Sequence, residues 1–450
     1  MKHLLSLSFF CILTFLNAQT LHKCVTHELI QQGEIYNPGF SQSIQAEFQK
    51  VKNKNSNRSH TIYRIPVVFH IVWNSTKPKE NIPDSCIHRQ IELLNHAFRA
   101  TNVDRSNLRP IFGLEAKDAE IEFYLATKDP QGNSTTGITR KSTTKKFTTN
   151  LLTGAISIDM KSTAKGGQDP WDVTKYYNVW VVNMPIIFLG QEQVGILGFA
   201  TPPSGLPNWP SEALEGVGAD GAVIQYQFIG NNNPNFASLD STFKIANSGK
   251  TLIHETGHYL GLRHIWADKG DPIFGSASCV DLNGNEDDDG IDDTPYCGSN
   301  SQATGCIDDK NTCEHESPDL PDMWENYMDY SDEKCQVIFT PDQTDFMQKV
   351  IEQKRLKLVS WDVQTNINDD DSEQIKIIYL AQSESIRINM SNESAVTIQI
   401  INHAGQSLFK QKVNSSQSEF EISCKNLPNG VYSIFVQSDQ KSYFKKFVKL

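Results

Sequence analysis

The stretch HETGHYLGLRH, residues 254–264, limits what this chain can fold into more than any other. His254 and His258 are four residues apart, so a helix presents both on one face, within reach of a single metal ion. Glu255, beside the first histidine, would face a metal-held water and take its proton. Gly261 is placed to end the helix at positive φ and turn the chain back, which delivers His264 as a third nitrogen ligand. Three protein ligands with a fourth position open is the arrangement of a catalytic zinc ion, whereas structural zinc is closed by four. A bare HExxH recurs by chance, but the longer HExxHxxGxxH fixes five positions at once. Leu252, Ile253, Thr256, Tyr259 and Leu260 surround the histidines with mostly apolar positions, which predicts a buried, central helix.

The rest of the chain sets bounds around that helix. At 450 residues it is too long for one ordinary domain, and a net charge of −12 argues against a nucleic-acid partner. No apolar run reaches the ~20 residues of a membrane span, apart from the extreme N-terminus. There Lys2 and His3 precede the apolar run Leu4 to Leu16, and Ala18 precedes Gln19, so residues 1–18 read as a secretory leader. Export would let the eight cysteines beyond Cys11 form disulfides. Residues 19–60 are polar and read as an irregular, removable pro-segment, with Lys52, Lys54 and Arg58 as processing points. Its one cysteine, Cys24, would fill the open metal position as a thiolate and hold the site inactive; pairing with another cysteine, or a plain free thiol, is the alternative.

From residue 61 the pattern turns regular. YRIPVVFHIVW (63–73) reads as a strand, with Pro66 near its start or marking an edge. A helix starts at Pro83-Asp84-Ser85 and buries Ile87, Ile91, Leu94 and Phe98. Residues 119–126, 177–184 and 221–228 read as further strands, and the Gly- and Pro-rich 190–205 as an irregular loop. This order predicts an α/β (α+β) domain with a mixed, twisted sheet. Beyond His264 the chain loses apolar periodicity, and residues 279–335 hold five cysteines, which predicts an irregular, disulfide-rich subdomain. Within it, DLNGNEDDDGIDDTP spaces Asn285, Asp287, Asp289 and Gly290 like a calcium loop, and Asp281, Asp292 and Asp293 add oxygens. Tyr296 stands where such a loop ends in glutamate, yet so many carboxylates in a compact exported segment favour one or more calcium ions over a solvated acidic loop. A helix from residue 342 closes the domain at 362, residues 363–374 form a polar linker, and 375–450 read as a small all-β, sandwich-like module in which Val396, Ile398 and Ile400 alternate.

Taken together, HETGHYLGLRH, IPVVFHIV, LNHAFRATNVD, DDTP and NYMDYS resemble the pappalysin family of metzincin metallopeptidases, in its short microbial form, over about residues 60–355. The resemblance implies a metzincin-like catalytic domain, a secreted zinc endopeptidase acting on proteins and peptides, and calcium near the DDTP segment with Asp292, Asp293 and Thr294 among its ligands. It implies zinc at His254, His258 and His264, Glu255 as general base, Met328 as the methionine of the turn beneath the metal, and Tyr330 as a stabiliser of the oxyanion. It further implies disulfides Cys279–Cys313 and Cys306–Cys335, which leaves Cys86 and Cys297 as a pair by parity. Glu333, with Asp332 nearby, would line a pocket preferring Arg or Lys on the leaving side of the cut bond. The tail segments IQIINHAGQSLFKQKV, LPNGVYSIFV and KKFVKL resemble the C-terminal sorting domain of the type IX secretion system, whose machinery would be a partner. That implies passage through a Gram-negative periplasm to the medium or the cell surface. The competing class is a secreted binding or adhesion protein with a vestigial zinc site.

Overall fold

The computed structural model describes residues 22–54, 62–149, 155–188, 191–207, 209–211, 213–239, 245–268, 279, 289–314, 319–360, 375–380, 384–390, 395–402, 406–414, 419–437 and 442–449. The leader at 1–18, Asp281, Asn285 and Asp287 of the acidic loop, and the linker at 363–374 lie outside them. Two units emerge, Met1–Leu358 and Val359–Leu450.

The first unit is built on β2 (Tyr63–Asn74), whose near-continuous burial follows from its run of branched and aromatic residues. After β1 (His22–Cys24) and the helices α1 (Thr26–Tyr36) and α2 (Phe40–Lys52), the chain adds α3 (Asp84–Phe98), β3 (Ile121–Leu125), β4 (Ile138–Thr143), β5 (Tyr177–Val182), the hairpin β6 (Pro185–Phe188) and β7 (Gln191–Val194), β8 (Ile196–Ala200) and β9 (Ala222–Gln225). The main sheet runs β1-β8-β9-β5-β2-β3, with β4 pairing the second half of β2. Pairing is parallel except between β8 and β9, so the sheet is mixed, as expected. The metal-motif helix α4 (Thr251–Tyr259) is buried along its whole length against β8 and β9, and α5 (Pro341–Lys354) follows a Thr340 capping box closed by Gln343.

Two expectations are corrected. Residues 190–205 are not a loop: they carry β7 and the fully buried β8, because Ile196, Leu197, Phe199 and Ala200 fill both faces of a sheet and need no alternation. Residues 22–52 are not irregular: Leu29, Phe40, Phe48 and Val51 recur at helical spacing and are buried, and Leu29 and Phe40 share a core with Trp180, Ile196 and Phe199. Pro66 lies near the start of β2, as expected, where the strand pairs with β3 but its register with β5 begins only at Val67. It sits in the first half of the strand, where its missing N–H is tolerated.

The second unit packs a three-stranded antiparallel sheet, β10 (Ile375–Leu380), β11 (Ser385–Met390) and β14 (Glu419–Ser423), on a four-stranded one of β12 (Ala395–Asn402), β13 (Ser407–Asn414), β15 (Gly430–Gln437) and β16 (Ser442–Lys449). Their inner faces share a core of Ile386, Ile388, Val396, Ile398, Ile400, Ile434 and Val436, the all-β sandwich expected from the alternating pattern.

Candidate active site

The helix α4 ends where Gly261 adopts φ +92°, and Leu262 N–H bonds back to the Gly257 carbonyl at 2.9 Å. This turn swings His264 across to His254 and His258. The three Nε2 atoms lie 3.0–3.2 Å from one another, and all three rings are buried. Their outer nitrogens are engaged elsewhere: Nδ1 of His254 with the Tyr327 carbonyl at 2.7 Å, Nδ1 of His258 with the Leu262 carbonyl at 2.9 Å, and Nδ1 of His264 with the Asp268 carboxylate. Carbonyls and carboxylates only accept, so each Nδ1 carries the proton and each Nε2 turns a lone pair inward. Three lone pairs at that separation repel unless a cation lies among them. The arrangement therefore fits a divalent metal, with outer partners that fix tautomer and ring orientation. Burial and the neighbouring rings hold His254 well below the usual histidine range, and His258 is pushed down to about 3, so neither ring is disposed to take a competing proton.

Cys24 joins these histidines. Its Sγ and the three histidine nitrogens lie within 4.8 Å of one another, the one such group of candidate ligands among the described residues. The thiol is 2 % exposed and lies 3.4 Å from Glu255 Oε2 and 3.2 Å from Thr26 Oγ1. Thr26 Oγ1 also donates to Glu255 Oε2 at 3.2 Å and accepts from Ala200 N–H at 2.9 Å. Burial raises the Cys24 pKa, and burial raises that of Glu255 to about 8. Glu255 Oε1 is buried with no hydrogen-bond partner, which leaves one carboxylate oxygen uncommitted beside the cluster. Tyr330 closes another side: its hydroxyl donates to the Cys24 carbonyl at 2.9 Å, and its ring centre is 4.9 Å from that of His264. Met328 lies fully buried under α4, with Sδ against Gly257.

The other candidate residues are placed less uniformly. Glu333 is fully buried, and its oxygens accept from Ser248 N–H and Thr251 Oγ1, both at 2.8 Å, at the start of α4. Asp332 accepts from Lys334 N–H at 3.0 Å and pairs with the Lys334 ammonium. Among the proposed calcium ligands within the described residues, Asp292 pairs with Lys52, Asp293 accepts from Asp342 N–H, and Asp289 accepts from Ile291 N–H and from Thr294 Oγ1. Disulfides join Cys279 to Cys313 and Cys306 to Cys335, as the resemblance implies. Parity misleads for the remaining two, since Cys86 and Cys297 are both free. Burial shelters them instead: Cys86 on α3, and Cys297 in a loop where its thiol donates to the Ser299 carbonyl.

Sequence reasoning passed over Lys23, Thr26 and Asp268. The spacing of Asp268, four residues beyond His264, was the available signal for a carboxylate behind a ligand. Nothing local announces Thr26, whose role depends on β1 lying beside β8.

Residues 162–352 match the peptidase family described as pregnancy-associated plasma protein-A, and residues 382–450 match the secretion system C-terminal sorting domain. An extracellular metalloprotease of Arthroderma gypseum is 26% identical over 318 residues, spanning 70% of this chain and 82% of the relative. Among solved structures, mature mirolysin of Tannerella forsythia in complex with a cleaved peptide is 33% identical, covers 67% of this chain and 97% of its own, and superposes with a TM-score of 0.51. A variant of promirolysin from the same organism is 31% identical, covers 75% of this chain and 96% of its own, with a TM-score of 0.57.

Proposed function

The chain belongs to the pappalysin family, that of pregnancy-associated plasma protein-A, and is a secreted metalloendopeptidase with a secretion sorting domain; from that premise we propose that it is a zinc enzyme, made latent, that cuts proteins on the amino side of Arg or Lys. The observation that carries this reading is the inward convergence of the His254, His258 and His264 Nε2 atoms at 3.0–3.2 Å. Zinc held by these three residues would supply a Lewis acid toward the peptide carbonyl and an acidified water. Glu255 is the proton carrier: its Oε1, buried beside the three histidines without a hydrogen-bond partner, is placed to accept a proton and return it to the leaving amine. Tyr330, whose hydroxyl already donates to a backbone carbonyl in this site, is the donor for the oxyanion. Met328 supports α4 from below and does not touch the reacting atoms.

Latency is read from Cys24, whose sulfur stands among the three histidines and beside Glu255. The wider match to promirolysin than to mature mirolysin supports a pro-segment reaching into the domain. The preference for a basic leaving-side residue rests on the acidic run Asp329, Asp332 and Glu333 after the Met328 turn. Calcium at the Asp289–Thr294 segment belongs to the same reading, supported by Asp293 Oδ1, which is buried without a hydrogen-bond partner. The sorting domain points to export through the periplasm, followed by release or surface attachment.

The test is cleavage of casein by the processed protein. Hydrolysis is expected to cease in Glu255→Ala and on chelation, and to return with zinc. Hydrolysis that survives Glu255→Ala would overturn the mechanism. Cut sites mapped by mass spectrometry in a denatured proteome should place Arg or Lys after the cut bond; an even spread of residues there would overturn the preference.

A further inference from the structure

We propose that the ammonium of Lys310 serves as an internal cation, held by oxygens as a bound metal ion would be, and that through Ser301 and Asp329 it is the positioning residue for Tyr330. The proposal rests on the reading of Tyr330 as the donor to the oxyanion.

Lys310 lies in the disulfide-bonded segment between α4 and α5. Its side chain is 7 % exposed, and Nζ meets four oxygens: the Ser299 carbonyl at 2.7 Å, the Asn300 carbonyl at 3.1 Å, Ser301 Oγ at 3.2 Å and Asp322 Oδ2 at 2.6 Å. An ammonium has three N–H groups, so four acceptors exceed what hydrogen bonding alone would recruit. Two main-chain carbonyls, a hydroxyl and a carboxylate are also the donor types that gather round a hard cation. The charge is matched, since Asp322 is fully buried and its carboxylate also accepts from Thr312 N–H and Oγ1, both at 2.9 Å. Without that shell a buried ammonium would be costly. Residues 299–301, 310–312 and 322 are thus gathered on one charge, and Thr312 precedes Cys313 of the disulfide to Cys279.

The shell is continuous with the turn that carries Tyr330. Ser301, which accepts from Lys310, donates its own N–H to Asp329 Oδ1 at 3.1 Å. Asp329 stands between Met328 and Tyr330 and is fully buried. Burial pushes its carboxyl up, while Lys310, Ser301 and the Tyr330 N–H pull it back toward the charged form, in that order. The carboxylate therefore joins the Lys310 shell to the backbone of Tyr330 itself. From the other side, Trp324 N–H donates to the Asp322 carbonyl at 3.1 Å, and Ser331 Oγ donates to the Trp324 carbonyl at 2.6 Å. Tyr330 is thereby fixed on both flanks by contacts that trace back to one ammonium. Without that charge the segment would shift, and a hydroxyl misplaced by ~1 Å at the oxyanion loses most of its effect.

The test is the kinetics of the processed enzyme on a peptide substrate. Lys310→Ala should lower kcat about tenfold with KM near the parent's, since what is lost acts on the transition state. n-Propylammonium, which matches the deleted atoms Cγ to Nζ, should restore kcat saturably, whereas uncharged 1-propanol should not. In a Tyr330→Phe background, Lys310→Ala should change kcat by less than about twofold, because its effect runs through the tyrosine hydroxyl. An unchanged kcat in Lys310→Ala, equal rescue by 1-propanol, or an undiminished loss in the Tyr330→Phe background overturns the proposal. If Lys310→Ala fails to fold, Ser301→Ala answers in its place by removing one of the four oxygens. It should lower kcat about threefold in the parent and leave Tyr330→Phe unaffected, and equal losses in the two overturn the proposal. Tyr330→Phe alone separates the two readings. A slow Tyr330→Phe enzyme beside an unchanged Lys310→Ala sinks the Lys310 inference alone; a Tyr330→Phe enzyme with the parent's kcat removes the reading of Tyr330 and the inference with it.

Discussion

Gly257 stands one residue before the second histidine of the motif, and replacing it with alanine tests whether packing beneath α4 sets the metal geometry. A Cβ at this position would lie 2.4 Å from Met328 Sδ, 3.3 Å from its Cε and 3.4 Å from Phe339 Cε1. Ordinary carbon contacts are about 3.5–4.0 Å, so the helix and the methionine would have to part by about 1 Å. Met328 has little room to yield, being fully buried with its N–H held by Asn326 Oδ1 at 2.9 Å. In favour of the substitution, alanine improves helix propensity by about 1 kcal/mol over glycine. Against it, overpacking of a tight core costs about 1–3 kcal/mol. We expect a net loss of up to ~2 kcal/mol, with weaker zinc binding because the strain falls between two ligands. Urea unfolding and competition with a chromophoric chelator measure the two effects. Pairing Gly257→Ala with Met328→Ala should recover ~1 kcal/mol or more relative to the sum of the single changes. A more stable Gly257→Ala protein, or strict additivity in the pair, would refute the reasoning.

Three further outcomes follow from other parts of the first unit. Asp220 and Arg355 form a buried bidentate pair, at 2.6 and 3.1 Å, with the guanidinium also 3.5 Å from the Tyr259 ring centre; Asp220→Ala should cost ~3–5 kcal/mol in urea unfolding because it strands the cation. Burial depresses His70 from its ordinary 6.5 to about 4, so its contribution is complete above pH 6.5 and is lost as pH falls toward 4; up to ~3 kcal/mol of acid sensitivity across that window should flatten in His70→Gln. Cys24→Ala should leave the uncut precursor inactive but lower the urea concentration at which the cut precursor becomes active, seen in peptide hydrolysis across a urea series, because the apolar core then holds the segment without the thiol.

Legibility differed with the range of the interactions. The helix of the histidine cluster was readable because its three histidines, the proposed general base and its terminating glycine all lie within eleven residues. The tail was readable because strict alternation over β12 states which face is inward. β8 was hidden for the opposite reason: buried on both faces and rich in glycine nearby, it has neither the period of a strand nor that of a helix. Residues 22–52 looked irregular because their polar residues outnumber the apolar ones, although Phe40, Ile44, Phe48 and Val51 already trace a helical stripe. Lys23 and Thr26 act only through strands brought together over long separations, Lys23 reaching Ser331 and Thr26 reaching Ala200 and Glu255. No window of sequence contains those contacts.

The same long-range packing bears on how latency would be released. Beyond Cys24, Leu29 and Phe40 lie fully buried in a core they share with Trp180, Ile196 and Phe199. Phe48 lies against Phe346, with ring centres 4.5 Å apart and planes tilted by 31°, and the Arg263 guanidinium sits over the Phe48 ring at 3.9 Å. Each such side chain stabilises the closed form by about 1.5–3 kcal/mol, so the three together contribute ~5–9 kcal/mol before any polar contact is counted. A single cut after the exposed Lys54 would sever the chain but leave this apolar plug seated. The cut pro-segment should therefore stay bound, comigrating with the enzyme on a native gel and keeping it inactive. Activity should then appear only on dilution, on mild denaturant or after a second cut within residues 22–52. Leu29→Ala combined with Phe40→Ala should release the cut segment without those aids. Immediate activity on the first cut in the parent protein would show that the thiol and the strand pairing, rather than this core, set the strength of the lock.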